Sequence, residues 1–215
     1  MTEQPTSTAK RNCDGQPSLA PATCSASFGV IYSDPPWAYN ESGGNSTNRV
    51  ISGKYPTMQQ SELCALKLPS ADNSVLFLWA TAPKLREALE VMDAWGYAYK
   101  SHAIWDKVKI GLGYWWRGQH ELLMVAIRGK MPPPPTELRM GSVFRYPRGS
   151  HSSKPDQVRD WIARCYPNER KLEMFARPYT EMWKKHDGWE TWGNELPNDV
   201  AMTPNASELS HESCL

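Results

Sequence analysis

Asp34-Pro35-Pro36-Trp37 is the stretch of this sequence whose residue types could do chemistry together. Asp34 offers a carboxylate acceptor. A proline carbonyl accepts while its residue has no N–H to donate, so Pro35 adds a second acceptor. Two successive prolines stiffen the turn and hold Asp34 extended, which fixes the acceptors before a substrate arrives. Trp37 adds a flat face on which a planar ring can stack, and Pro36 completes the loop. Such a set suits an exocyclic amine on a planar ring, as in adenine, whose lone pair is delocalised and poorly nucleophilic. Accepting hydrogen bonds from both N–H groups draws that nitrogen toward tetrahedral geometry. The loop alone suits other planar amines equally, including those of cytosine or a glutamine side chain. The competing structural reading is a rigid surface turn with an incidental tryptophan; its place directly after a strand favours chemistry.

A second concentration of reactive types runs from Arg128 to Lys154. Six basic residues (Arg128, Lys130, Arg139, Arg145, Arg148 and Lys154) stand there against one acidic residue, Glu137. Serines, Tyr146 and His151 are interleaved, and Pro132 to Pro135 stiffen the run. The pattern suits phosphate contact, against the alternative of a solvated loop with excess positive charge. Arg128 is the first choice for a substrate contact because it closes a strand on the expected active side, followed by Lys130, Arg145 and Arg148. The chain's net charge is only +1, so binding a polyanion needs such a local patch.

These residues need a scaffold. Phe28 to Ser33 predicts a short strand with turn chemistry behind it. Ser74 to Trp79, almost wholly apolar, predicts a central strand covered on both faces. Pro83 to Trp95 sets Leu85, Leu89, Met92 and Trp95 on one helical face, with Gly96 as the stop. Tyr97 to Trp105 and Glu121 to Ile127 read as strands. Pro155 opens a second helix carrying Val158, Trp161, Ile162 and Cys165. Lys171 to Phe175 and Trp189 to Trp192 complete the set. Strands alternating with helices predict an α/β fold with a mostly parallel sheet covered on both faces. Ligands in such sheets sit beyond the carboxyl ends of strands, which picks out the segments after Ser33, Phe175 and Ile127. Glu41 to Ser52 is polar and contains Gly43-Gly44, and Thr57 to Gln60 fits a helix-starting capping box.

With 215 residues the chain suits one such domain, with residues 1–27 as a disordered N-terminal tail, 28–196 as the domain and 197–215 as a flexible C-terminal tail. The five cysteines (Cys13, Cys24, Cys64, Cys165 and Cys214) and five histidines show no ligand spacing, which argues against a metal and against a disulfide framework. Ten tryptophans are mostly accounted for as core. No apolar run suits a leader or a membrane span, so the expectation is an intracellular, cytoplasmic protein.

The sequence resembles the MT-A70 family of DPPW-type adenine methyltransferases, from about Phe28 to Leu196. Beyond the DPPW loop the resemblance rests on an ordered series. It comprises Lys54 to Met58, Leu76 to Trp79, Gly113 to Trp116, His120 to Leu123, Ser153 to Asp156, Glu173 to Arg177 and Gly188 to Glu195. It implies a Rossmann-like methyltransferase fold in permuted order, the catalytic loop preceding the cofactor loop. It implies S-adenosylmethionine as cofactor, held by Asp34, Lys154, Phe175, Arg177, Tyr179, Thr180, Asn194 and Glu195. It implies that the loop ahead of Tyr55 closes over a target adenine, with Tyr55 near the base. The substrate so implied is nucleic acid, DNA favoured over RNA, with relaxed sequence specificity. A homodimer or partner subunit, and a non-catalytic nucleic-acid-binding homologue, stay open as alternatives.

Overall fold

The computed structural model describes residues 27–39, 56–113, 115–149, 153–176, 188–193, 198–200 and 202. In chain order its elements are β1 (Phe28–Ser33), α1 (Gln60–Cys64), β2 (Ser70–Ala80), α2 (Leu85–Ala94), β3 (Ala98–Asp106), β4 (His120–Arg128), β5 (Val143–Arg145), α3 (Asp156–Cys165), β6 (Lys171–Met174) and β7 (Trp189–Trp192). The seven strands among the described residues form one sheet in the order β5-β3-β4-β2-β1-β6-β7. Alternation along β2 sorts its side chains between two cores. Leu76, Leu78 and Ala80 face one layer with Val91 and Met92 of α2, whereas Val75, Phe77 and Trp79 face another with Val158 and Ile162 of α3. Both sheet faces are therefore buried, as the near-continuous apolar run required.

The second layer is largely aromatic. Trp79 donates its Nε1 proton to Tyr32 Oη at 2.7 Å and meets Trp105 and Phe144 edge-on. The Trp79 indole thus keeps its polar atom satisfied while its ring fills space. Arg159 of α3 is buried and pairs with Glu173 of β6 at 2.5 Å, tying helix to sheet by a charge-assisted bond.

The helix boundaries differ from expectation in two places. Residues 82–84 form a 3₁₀ turn with Pro83 near its start, so α2 begins at Leu85 and leaves that side chain exposed. The cap of α1 lies further along than Thr57: the N–H of Gln59 donates to Glu62 Oε2 at 2.6 Å. Gly96 does end α2, in the left-handed region at φ 76°. Past the expected boundary at residue 196 the chain still contributes to the fold, since Val200 is buried and Met202 packs on the same core.

One strand overturns an expectation about direction. β4 is antiparallel to both β2 and β3, while the other pairings in the sheet are parallel. Its start, not its end, therefore lies at the edge where β1 and β2 finish. Arg128 pairs with Ser74, at the opposite edge.

Candidate active site

Ser33 closes β1 between two parallel neighbours, opposite Leu78 of β2 and Met174 of β6. Asp34 leaves the sheet at that point, in the crevice where adjacent parallel strands end. The loop it begins is braced at every step. The Trp37 N–H donates to the Pro35 carbonyl at 2.9 Å, and the Met58 N–H donates to the Pro36 carbonyl at 2.9 Å. The Ala38 N–H returns a bond to the Met58 carbonyl at 3.2 Å. Trp37 Nε1 donates to the Trp79 carbonyl at 3.1 Å. This last bond, with apolar packing, draws the Trp37 ring inward until only 8% is exposed. In this conformation Trp37 braces the loop from beneath, unlike the open stacking face expected from sequence.

Lys154 comes to Asp34 from just before α3. Its Nζ lies 2.7 Å from Asp34 Oδ2 and 3.4 Å from Glu121 Oε2, with the Trp79 ring centroid 5.6 Å away. Glu121 also pairs with Lys107 Nζ, at 3.2 Å. Two carboxylates and two ammoniums thus alternate across the strand ends, all partly buried. Tyr39 completes the rim: its hydroxyl shares a 2.7 Å hydrogen bond with Thr81 Oγ1, and Lys84 Nζ stands 5.1 Å from its ring centroid. Burial pushes the Tyr39 hydroxyl above its ordinary range, with Glu121 and Asp34 adding to the rise and the bond to Thr81 and the charge of Lys154 opposing it. At neutral pH it is a donor as well as an acceptor.

The neighbouring strand ends meet closely. Phe175, just past β6, takes a left-handed φ of 59° and its N–H donates to the Trp192 carbonyl at 2.6 Å. A Cβ on Gly193 would stand 3.0 Å from the backbone N and O of Ala176, so only glycine passes there without displacement. Tyr55, Arg177, Tyr179, Thr180, Asn194 and Glu195, all singled out from sequence, lie outside the described residues.

The basic segment divides. Arg145 and Arg148 are exposed at the edge that carries Asp34, since Arg145 of β5 pairs in register with Asp106 at the end of β3. Arg128 and Lys130 sit at the far edge because β4 runs against its neighbours. Arg128 donates to the Trp95 carbonyl at 2.6 Å and to Ser70 Oγ at 2.7 Å, and its guanidinium stacks 5.2 Å from the Tyr97 centroid. Lys130 is anchored through its N–H to Asn73 Oδ1 at 2.7 Å. The expectation that Arg128 closes its strand on the Asp34 side is thereby corrected: Arg128, with Lys130, belongs to the opposite rim. Lys107 and Tyr39 carry no signal of their own in the sequence, whereas Glu121 falls in the His120 to Leu123 segment of the family resemblance. The available signal was an acid at the very start of an apolar strand, where packing alone would place no charge.

A doubly covered α/β sheet with an acidic loop after its first strand, ahead in sequence of the β6–β7 crevice, is a Rossmann-like methyltransferase fold in permuted order. The MT-A70 family model matches residues 28–195, and the chain belongs to that family. It is 34% identical over 200 residues to the type II methyltransferase M.MunI of Mycoplasma sp, covering 85% of this chain and 83% of that one. It is 30% identical over 178 residues to an N(6)-adenosine-methyltransferase MT-A70-like protein of Arabidopsis thaliana, covering 79% of this chain and 24% of the relative. With the N(6)-adenosine-methyltransferase catalytic subunit METTL3 of Homo sapiens it shares 28% identity over 187 residues, 83% of this chain and 30% of that one. The chain is a methyltransferase by this kinship. Among the described residues no helix is long and apolar enough to cross a membrane, and no group of His, Cys, Asp and Glu could hold a metal ion.

Proposed function

We propose that this chain transfers the methyl group of S-adenosylmethionine to the N6 amine of adenine in nucleic acid, with DNA favoured over RNA. The observation that carries the reading is the Asp34 carboxylate, fixed by Lys154 at the carboxyl end of β1. Lys154 occupies Oδ2, and Oδ1 is the oxygen that accepts one N–H of an incoming amine. The Pro35 carbonyl spends one lone pair on the Trp37 N–H and offers its second to the other N–H. Lys154 holds the first acceptor and the loop backbone the second before substrate binds, so little reorganisation is needed on reaction. The nitrogen must shed one proton on becoming a secondary amine, and Asp34 is the carboxylate that receives it.

The chemistry of the described residues suits the group: β1, β6 and β7 are parallel neighbours, and ligands of such sheets lie across their carboxyl ends, where Asp34 carries its counter-ion Lys154. S-adenosylmethionine when bound supplies an electrophilic methyl carbon. Lys154 and Phe175 would hold it there, with Arg177, Tyr179, Thr180, Asn194 and Glu195 added from outside the described residues.

Two considerations support adenine and DNA. The relatives include N(6)-adenosine-methyltransferases, and the relative matched over most of both chains is a type II methyltransferase. The test is transfer of a labelled methyl group from S-adenosylmethionine to single- and double-stranded DNA and to matched RNA, followed by nucleoside analysis. N6-methyladenine made by the wild type and absent with Asp34→Ala supports the proposal. Product only on RNA reverses the DNA preference, and a methylated base other than adenine overturns the amine assignment.

A further inference from the structure

The connection between β3 and β4, residues 107–119, ends in an unusual surface. Trp115 is 94% exposed and Trp116 88%, with Leu112 at 81% and Ile110 at 60% close by in the chain. Large apolar side chains this open carry a hydration cost that a folded chain ordinarily avoids, and clusters of them mark contact surfaces. The connection is also built to keep its shape. The Lys107 N–H donates to the Gln119 carbonyl at 2.8 Å, the Gly111 N–H to the Gly118 carbonyl at 2.8 Å, and Arg117 Nε to the Gly111 carbonyl at 2.6 Å. A Cβ on Gly113 would stand 1.9 Å from the Trp116 carbonyl oxygen. Val108, β-branched, is held at a left-handed φ of 69° while its N–H donates to Asp106 Oδ1 at 2.8 Å. Trp115 and Trp116 are thus displayed beyond a hydrogen-bonded stem.

Position and charge say what they meet. Because β4 alone is reversed, this hairpin springs from the edge that carries Asp34, and its first residue, Lys107, belongs to the ion-pair chain through Glu121 and Lys154. Between Lys107 and Gln119 the sequence holds three basic residues, Lys107, Lys109 and Arg117, and no acidic one. Arg148 stands exposed on the adjoining β5 side, and Arg145, also exposed, pairs with Asp106 at 3.4 Å. Flat rings among cations, in a stretch with no acidic residue from Lys107 to Gln119, match a polyanion that carries flat bases. A protein partner of ordinary composition would ask only for apolar area.

We propose that the β3–β4 hairpin is a nucleic-acid contact in which Trp115 and Trp116 stack on bases beside the target adenine while Lys109 and Arg117 meet the backbone. The inference rests on the nucleic-acid reading above. Stacking there would offset the cost of displacing a base from its neighbours, since adenine must leave a duplex before its amine is reachable.

The experiment compares wild type, Trp115→Leu/Trp116→Leu and Trp115→Phe/Trp116→Phe by anisotropy on labelled single- and double-stranded DNA, with S-adenosylmethionine affinity and sedimentation measured alongside. Leucine keeps apolar area and loses the ring; phenylalanine keeps a ring. Loss of about tenfold to a hundredfold in DNA affinity with leucine is expected, with most of it restored by phenylalanine and cofactor affinity unchanged. Both positions are exposed, so neither change should disturb folding. Unchanged DNA affinity in the leucine variant overturns the proposal, as does a loss explained by altered oligomeric state, which would assign the tip to a second copy. Wild type that binds and methylates no nucleic acid sinks the underlying reading and this inference with it.

Discussion

Lys154 Nζ lies 2.7 Å from Asp34 Oδ2 across 120 positions of sequence, and the same ammonium reaches Glu121 at 3.4 Å. A single lysine therefore orients the Asp34 carboxylate and separates two carboxylates that would otherwise repel. Asp34→Asn keeps the shape and removes the charge; turnover is expected to fall by about 10²–10⁴-fold. Lys154→Met should lower kcat by about 10²-fold through misorientation of Asp34, with Lys154→Arg recovering part of it. Steady-state methyl transfer, accompanied by circular dichroism, checks both. Full activity of Lys154→Met would remove the lysine from the account.

Trp37 is expected to act on the loop through structure. Trp37→Phe removes the bond to the Trp79 carbonyl and leaves that buried acceptor unpaired, at a cost of about 1–3 kcal/mol. Urea unfolding measures the loss. Activity should fall more than stability alone predicts, because the strand ends holding Asp34 relax with the loop.

Arg128 gives the reverse pattern. With its guanidinium spent on Trp95, Ser70 and Tyr97, Arg128→Ala should destabilise by about 1–3 kcal/mol and leave oligonucleotide affinity near wild type. Arg148→Ala, at the Asp34 edge, should instead weaken nucleic-acid binding and lessen its salt dependence. Salt titrations of the two variants side by side distinguish them.

Stability should decline in alkali. Burial pushes the Cys165 thiol from an ordinary 9.0 to about 11 and the Tyr166 hydroxyl from 10.0 to about 12. Above pH 9 the unfolded chain sheds these protons while the folded chain keeps them, so folding loses stability as pH rises from about 9 to 12. Tyr166 Oη also donates to the Pro132 carbonyl at 3.1 Å, a bond that ionisation abolishes. Urea midpoints for wild type and Cys165→Ala across that range test the slope; the variant should be flatter.

Much of this was legible in the residues. FGVIYS reads as a strand and is β1 to the residue, because an apolar run followed by Asp-Pro-Pro has no other local option. What stayed hidden was the direction of β4. ELLMVAI is equally apolar read either way, and direction is decided by which neighbours pair, a property of the whole sheet. That one reversal carries Arg128 and Lys130 to the far rim and brings Glu121, at the start of β4, to the Asp34 edge. β5 was also missed: three residues within a basic loop carry no periodicity, and only pairing with β3 makes them a strand. The role of Lys154 was visible as a charge before a helix, but not its partner.

The reversed β4 has a consequence for how this scaffold can vary. A hairpin joining two antiparallel strands can gain or lose residues without moving either strand, and each doubling of a flexible loop costs only about 0.6 kcal/mol. The parallel connections allow less, since each must carry the chain back across the sheet. Residues 107–119 are thus the segment beside the Asp34 edge that can be lengthened, shortened or rewritten at least expense to folding. Descendants of this fold that acquire new targets should differ there first, with the Asp34 loop unchanged beneath them.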